Sequence, residues 1–219
     1  MTDHSTSVSR QEALARILGA VRVVPVITID RVEDAVPLAR SLVSGGIRVL
    51  EITLRTSAAL EAAKAIIAEV PDAIVGLGTV LDGTDLERAA SIDAKFALSP
   101  GATPELLQAA SRSHIPFIPG IATASELMAA LAHGFEIVKF FPAQQAGGIP
   151  ALRALGGPFP HARFCPTGGI SAANAGEWLS ERNVIAVGGS WLCPVPDIRA
   201  GNWDSITAQA RQAMDTLAP

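Results

Sequence analysis

Eight short apolar runs, each followed by a stretch of helical spacing, limit what this chain can fold into. They cover 21–27, 47–53, 73–79, 95–98, 116–119, 136–141, 163–167 and 184–187. Most are near-continuous in Val, Ile, Leu, Ala and Phe, the pattern of strands buried on both faces. Strands alternating with helices pair in parallel, with the helices as crossovers. Connections are short and no shift in composition marks a boundary, so residues 9–219 read as one domain. The predicted fold is α/β, a single (β/α)8 TIM barrel. An open doubly wound sheet would want Gly-x-Gly-x-x-Gly after its first strand. The first strand here runs instead into Ile27-Thr28-Ile29-Asp30.

Helix starts follow from capping chemistry. Ser9 with Glu12 reads as a capping box for a helix over 11–20, which leaves residues 1–8 as a flexible leader. Asp30 with Glu33, Thr84 with Glu87, and Thr123 with Glu126 predict three further starts. Thr103-Pro104-Glu105 predicts another, with proline in the first turn. Gly45-Gly46 and His133-Gly134 are expected helix ends.

Within this frame one residue is out of place. Lys139 sits inside Ile137-Val138-Lys139-Phe140-Phe141-Pro142-Ala143, a run that otherwise reads as a buried strand. Lysine is rarely buried unless something pairs or uses it. Loss of water favours the neutral amine, which attacks carbonyl carbon. Either Lys139 forms a Schiff base, or it snorkels its head from a strand end.

Barrel active sites lie at the C-terminal ends of the strands. The residues at those ends are Glu51, Thr53 and Arg55, then Thr79, Pro100 and Lys139, then Thr167-Gly168-Gly169 and Gly188-Gly189-Ser190. Strand alternation puts Val49, Glu51 and Thr53 on one face, and Ile137 with Lys139 on one face. If the aliphatic faces meet the helices, Glu51 and Lys139 both point inward from opposed strands. They then form a catalytic carboxylate–amine pair or a buried structural ion pair. Arg55 suits bidentate binding of a substrate carboxylate, or is an exposed arginine at a loop start. The two glycine pairs, each beside a helix start, point to a phosphate site.

Composition narrows the partners. A net charge of −4 argues against nucleic acid, which calls for a basic face. Hydrophobic residues at 49% and charged residues at 17% fit two-sided strand burial plus an apolar subunit interface. The polar, acid-bearing start is not a signal peptide, and no run approaches the ~18 apolar residues of a membrane helix. Cys165 and Cys193 read as small buried hydrophobes kept reduced, so a cytoplasmic protein is expected. His4, His114, His133 and His161 lack metal-ligand spacing, which leaves lysine chemistry and no metal.

From about residue 12 onward the chain resembles the 2-keto-3-deoxy-6-phosphogluconate aldolase family, also active on 4-hydroxy-2-oxoglutarate. The carriers are Val-Val-Pro-Val-Ile (23–27), Gly-Gly-Ile-Arg-Val-Leu-Glu-Ile-Thr-Leu-Arg-Thr (45–56) and Gly-Leu-Gly-Thr-Val-Leu (76–81). Ser-Pro-Gly-Ala-Thr (99–103), Ile-Pro-Gly-Ile-Ala-Thr (118–123) and Val-Lys-Phe-Phe-Pro-Ala (138–143) follow. Arg-Phe-Cys-Pro-Thr-Gly-Gly-Ile (163–170) and Gly-Gly-Ser-Trp-Leu (188–192) complete the set. The resemblance implies a class I, cofactor-free aldolase forming homotrimers, with Lys139 as Schiff-base lysine and Glu51 as acid/base. It further implies that Arg55 and Thr79 hold the pyruvoyl carboxylate, with Pro100 and Phe141 shaping that pocket and Thr167 close by. Gly168, Gly169, Gly189 and Ser190 would bind phosphate. Gln144 departs from the family pattern, in which glutamate is expected after Phe-Phe-Pro-Ala.

Overall fold

The computed structural model describes residues 4–217. Its first half runs α1 (His4–Gly19), β1 (Val23–Ile27), a 3-10 turn (Val32–Asp34), α2 (Ala35–Ser44), β2 (Val49–Thr53) and α3 (Ala59–Glu69). Then come β3 (Ile74–Gly78), α4 (Gly83–Ser91), β4 (Phe96–Leu98), α5 (Pro104–Arg112), β5 (Phe117–Ile118), β6 (Gly120–Ile121) and α6 (Ala124–Ala132). The second half continues through β7 (Ile137–Phe140), α7 (Gly148–Gly156), β8 (Arg163–Pro166) and α8 (Ala175–Leu179). It closes with β9 (Val187–Gly189), α9 (Val195–Ala200) and α10 (Trp203–Thr216). No helix among the described residues is long and apolar enough to cross a membrane.

Every strand pairing is parallel, and the architecture is α/β with a parallel sheet that forms a half-barrel. One sheet has the order β5-β4-β3-β2-β1-β9, and a second has the order β6-β7-β8. Single parallel bridges, Phe164 to Val184 and Thr167 to Gly188, run between the neighbourhoods of β8 and β9.

Two strands differ from their expected form. The run 116–119 is broken at Pro119 into β5 and β6, because proline has no N–H for the ladder. The break lets β5 pair with β4 and β6 with β7. The Ser99 hydroxyl fills the gap by accepting from Gly120 N at 3.2 Å. The run 184–187 yields a strand only from Val187, which pairs through Val23 with β1, while Val184 bridges alone to Phe164.

The helix starts agree with the capping pattern in part. Thr103 and Thr123 cap α5 and α6 as expected, the latter in a full capping box with Glu126. α1 begins at His4 instead of at Ser9, so 4–8 of the expected leader continue the helix and 1–3 lie outside the described residues. Asp82, not Thr84, caps α4. Glu33 and Asp34 belong to the 3-10 turn, where Asp34 takes two hydrogen bonds from Arg31.

The apolar residues divide by strand alternation into two layers. Leu50, Ile52, Val138 and Phe140 face the helices in one cluster. Val49, Phe96, Leu98, Ile118, Ile137 and Cys165 form an inner cluster, closed off at the strand N-termini by Leu14 and Leu18 of α1. Gln11 seats that helix. Its Oε1 accepts from Glu136 N at 3.1 Å and from Ile137 N at 3.0 Å, where β7 begins. Truncation to alanine would leave both backbone donors without partners near the protein interior, at ~1–3 kcal/mol for each unsatisfied group. Gln11→Ala should therefore lower unfolding free energy by about 2–4 kcal/mol, read from the urea midpoint. An unchanged midpoint would mean that water replaces the side chain.

Candidate active site

The inner faces of β2 and β7 bring together the two charges that alternation placed there. Lys139 Nζ donates to Glu51 Oε1 at 2.9 Å, and the two residues are 3% and 1% exposed. Both charges are withdrawn from water, and the pair answers the burial that neither could sustain alone. Glu51 has room because β3 carries glycine at 78, where any Cβ would collide with the carboxylate. The Phe141 ring lies beside the amine, its centroid 5.5 Å from Nζ, and borders the space above it.

Arg55, just beyond β2, donates from Nε to Thr79 Oγ1 at 3.3 Å. Thr79 holds φ at 60°, a left-handed conformation uncommon for a residue with a branched side chain. Strain of this kind collects at ligand sites, and here it follows the end of β3. Thr53 shares the Glu51 face, but its hydroxyl donates to Ile27 O at 2.8 Å and serves the fold. Pro100 lies past the end of β4, its carbonyl so close to Gly120 that no larger residue fits there.

On the opposite side, Thr167 follows β8 and is tied to β7 by Thr167 N donating to Phe140 O at 2.9 Å. Its hydroxyl occupies the space that a side chain at Gly188 would fill. Gly168 and Gly169 turn the chain at φ of 100° and 75°, conformations that favour glycine. A side chain at Gly189 would strike the Trp191 ring, and Ser190 is exposed beside it. α8 has only five residues, so the donors available at this turn are its own backbone amides and not a helix end.

Sequence reasoning missed Asn174. Its Oδ1 accepts from Ser171 N at 2.8 Å and its Nδ2 donates to Gly169 O at 3.0 Å, which clamps the glycine turn. An asparagine three residues past a glycine-serine turn was the available signal.

Cys165 is the ladder partner of Lys139 and lies inside the strands, while Cys193 is buried elsewhere. Burial, the dominant cause, pushes both thiols from 9.0 up to about 12; for Cys165 the Lys139 charge opposes that shift and Glu51 adds to it. The thiols are therefore protonated and inert at neutral pH. The unfolded chain releases these protons near its ordinary value, whereas the folded chain holds them until about 12. Stability is thus unaffected below the unfolded value and falls as pH rises through the window above it. The denaturant midpoint should drop as pH rises above about 9, with Cys193→Ala recovering part of the loss. Equal slopes in parent and variant would remove Cys193 from the effect.

Comparison with known proteins bears on this geometry. Residues 14–209 match the family model described as aldolase, KDPG and KHG aldolase. A relative from Escherichia coli K12, "KHG/KDPG aldolase", is 52% identical over 199 residues, 91% of this chain and 93% of that protein. The crystal structure of KDPG aldolase from Legionella pneumophila, with pyruvate captured as a covalent carbinolamine, superposes with a TM-score of 0.89. It is 47% identical and the match covers 91% of this chain and 97% of that one. A 4-hydroxy-2-oxoglutarate/2-dehydro-3-deoxyphosphogluconate aldolase from TTHB1 has a TM-score of 0.81 at 37% identity, covering 95% and 98%.

Proposed function

The chain belongs to the KDPG and KHG aldolase family, and we propose that its Lys139–Glu51 pair carries the reaction of that family. The protein is a lyase of the class I type. It cleaves 2-dehydro-3-deoxy-6-phosphogluconate to pyruvate and glyceraldehyde 3-phosphate, and acts on 4-hydroxy-2-oxoglutarate as well. The buried 2.9 Å contact between amine and carboxylate is the observation that carries the assignment of residues.

In this reading Lys139 passes a proton from Nζ to Glu51 and attacks the C2 ketone with the freed lone pair. Glu51, directly or through water, returns the proton as the carbinolamine loses hydroxide as water, leaving a protonated imine. Glu51, again a carboxylate, takes the C4 hydroxyl proton directly or through water as C3–C4 breaks, and the electron pair flows to the imine nitrogen to give the pyruvate enamine. The aldehyde departs, Glu51 reprotonates C3, and water hydrolyses the imine to free pyruvate and Lys139. Arg55 and Thr79 hold the pyruvoyl carboxylate, while Pro100 and Phe141 border its pocket and Thr167 lies close by. The turns at Gly168, Gly169, Gly189 and Ser190 receive the phosphate with backbone amides.

The fold belongs to the same proposal. The described residues from 9 onward form one (β/α)8 barrel, a reading supported by β5 and β6 flanking Pro119 and by the bridges to Gly188 and Val184. A homotrimer is the assembly that membership of this family leads us to expect, and the exposed Leu81 and Met128, at 60% and 59%, leave apolar surface for a partner copy. A cytoplasmic location is supported by two buried free thiols. Borohydride reduction in the presence of pyruvate tests the central step. The expected product is a stable adduct on the peptide that contains Lys139. An unmodified Lys139 peptide, with pyruvate still released from substrate, overturns the assignment.

A further inference from the structure

Two consecutive glutamines after β7 have no part in the scheme above, although the chain around them is built into the phosphate end. Ala143 N donates to Thr167 O at 2.8 Å and Gln144 N to Gly168 O at 3.0 Å, so residues 143–144 extend the β7–β8 ladder along the glycine turn. That proximity depends on Gly169, since a Cβ there would lie 2.5 Å from Gln144 Cβ. The two amides then part. The Gln144 amide reaches Gly148, with both of its atoms 3.9 Å from the position of a Cβ there. Gln145 Nε2 lies 3.7 Å from the corresponding position on Gly169. Gln145 is exposed, and its side chain makes no hydrogen bond among the described residues.

We infer that Gln145 is a specificity-determining residue, its amide donating to the phosphate of the phosphorylated substrate alongside the glycine turn. The inference rests on the reading of that turn as the phosphate site. A phosphate monoester near neutral pH carries close to two negative charges and accepts from any N–H aimed at it. Every donor assigned to it so far is a backbone amide or Ser190, and none is a side chain with charge. An amide on a short, exposed side chain adds a contact that only a phosphorylated substrate can use. With glutamine at both 144 and 145, no carboxylate from this loop faces the anion.

Steady-state cleavage of both substrates by the full chain and two variants tests this. Gln145→Ala should raise KM for 2-dehydro-3-deoxy-6-phosphogluconate by about threefold to tenfold, the worth of one exposed hydrogen bond to a charged group. It should leave kcat, and KM for 4-hydroxy-2-oxoglutarate, as they are. Gln145→Glu should raise KM for the phosphorylated substrate further, because a carboxylate repels the anion. Inorganic phosphate, as competitive inhibitor of 4-hydroxy-2-oxoglutarate cleavage, should weaken in the same order. Unchanged KM and inhibition in Gln145→Ala, or an equal rise for both substrates, overturns the inference alone. Parent protein that cleaves 4-hydroxy-2-oxoglutarate but neither the phosphorylated substrate nor feels inorganic phosphate overturns the phosphate-site reading and this inference together.

Discussion

Lys139→Met is expected to abolish borohydride trapping of pyruvate and to lower turnover by about four orders of magnitude or more, since the covalent route loses its nucleophile. Methionine matches the aliphatic stem, so the loss is chemical and not one of packing. Stability should fall too. Glu51, 1% exposed, would lose its only ion-pair partner among the described residues, and breaking a buried pair from one side costs ~3–5 kcal/mol. The double variant Lys139→Met/Glu51→Leu separates the two roles. Removing both charges should recover much of the stability, because an apolar pair of similar volume replaces an ion pair at little net cost. Activity should stay absent. Persisting turnover in Lys139→Met would place the Schiff base on another residue.

Glu51→Gln makes the complementary prediction. Glutamine keeps the shape of the side chain, keeps an oxygen to accept from Nζ, and still fits beside Gly78. It has no capacity to take and return protons. Pyruvate should therefore still be trapped on Lys139, more slowly, while kcat falls by about a hundredfold to ten-thousandfold, the usual worth of a positioned acid/base. A fall in kcat of less than about tenfold would show that water or another group moves the protons. The two variants divide covalent capacity from proton transfer. A purely structural ion pair predicts the opposite pattern, with lost stability and near-normal kcat in each.

Much of the site was legible before any contact was known. Alternation along 49–53 and 137–140 assigned Glu51 and Lys139 to inner faces, and both lie there. Thr103 and Thr123 announced helix starts, because a side chain that caps its own helix acts over three residues. Boundaries failed where a distant neighbour decides them or where two local caps compete. Pro119 splits a strand that reads as continuous, since its missing N–H matters only once neighbours on both sides are in place. Asp82 displaced Thr84 at the start of α4 by accepting from Asp85 N, a contest between two adequate caps.

Periodicity along the chain specifies the alternating α/β order, the inner and outer strand faces, and the residue types available at the strand ends. These depend on periodicity and short-range chemistry, which a linear reading contains. The three-dimensional packing alone brings Lys139 and Glu51, 88 positions apart, to 2.9 Å. It also decided that Gly78 is the space for that carboxylate, that Gln11 holds the start of β7, and that Gln145 faces the glycine turn. Each of these is a contact between segments remote in sequence. Its geometry is set by how strands stack across the sheets, and no local rule encodes it.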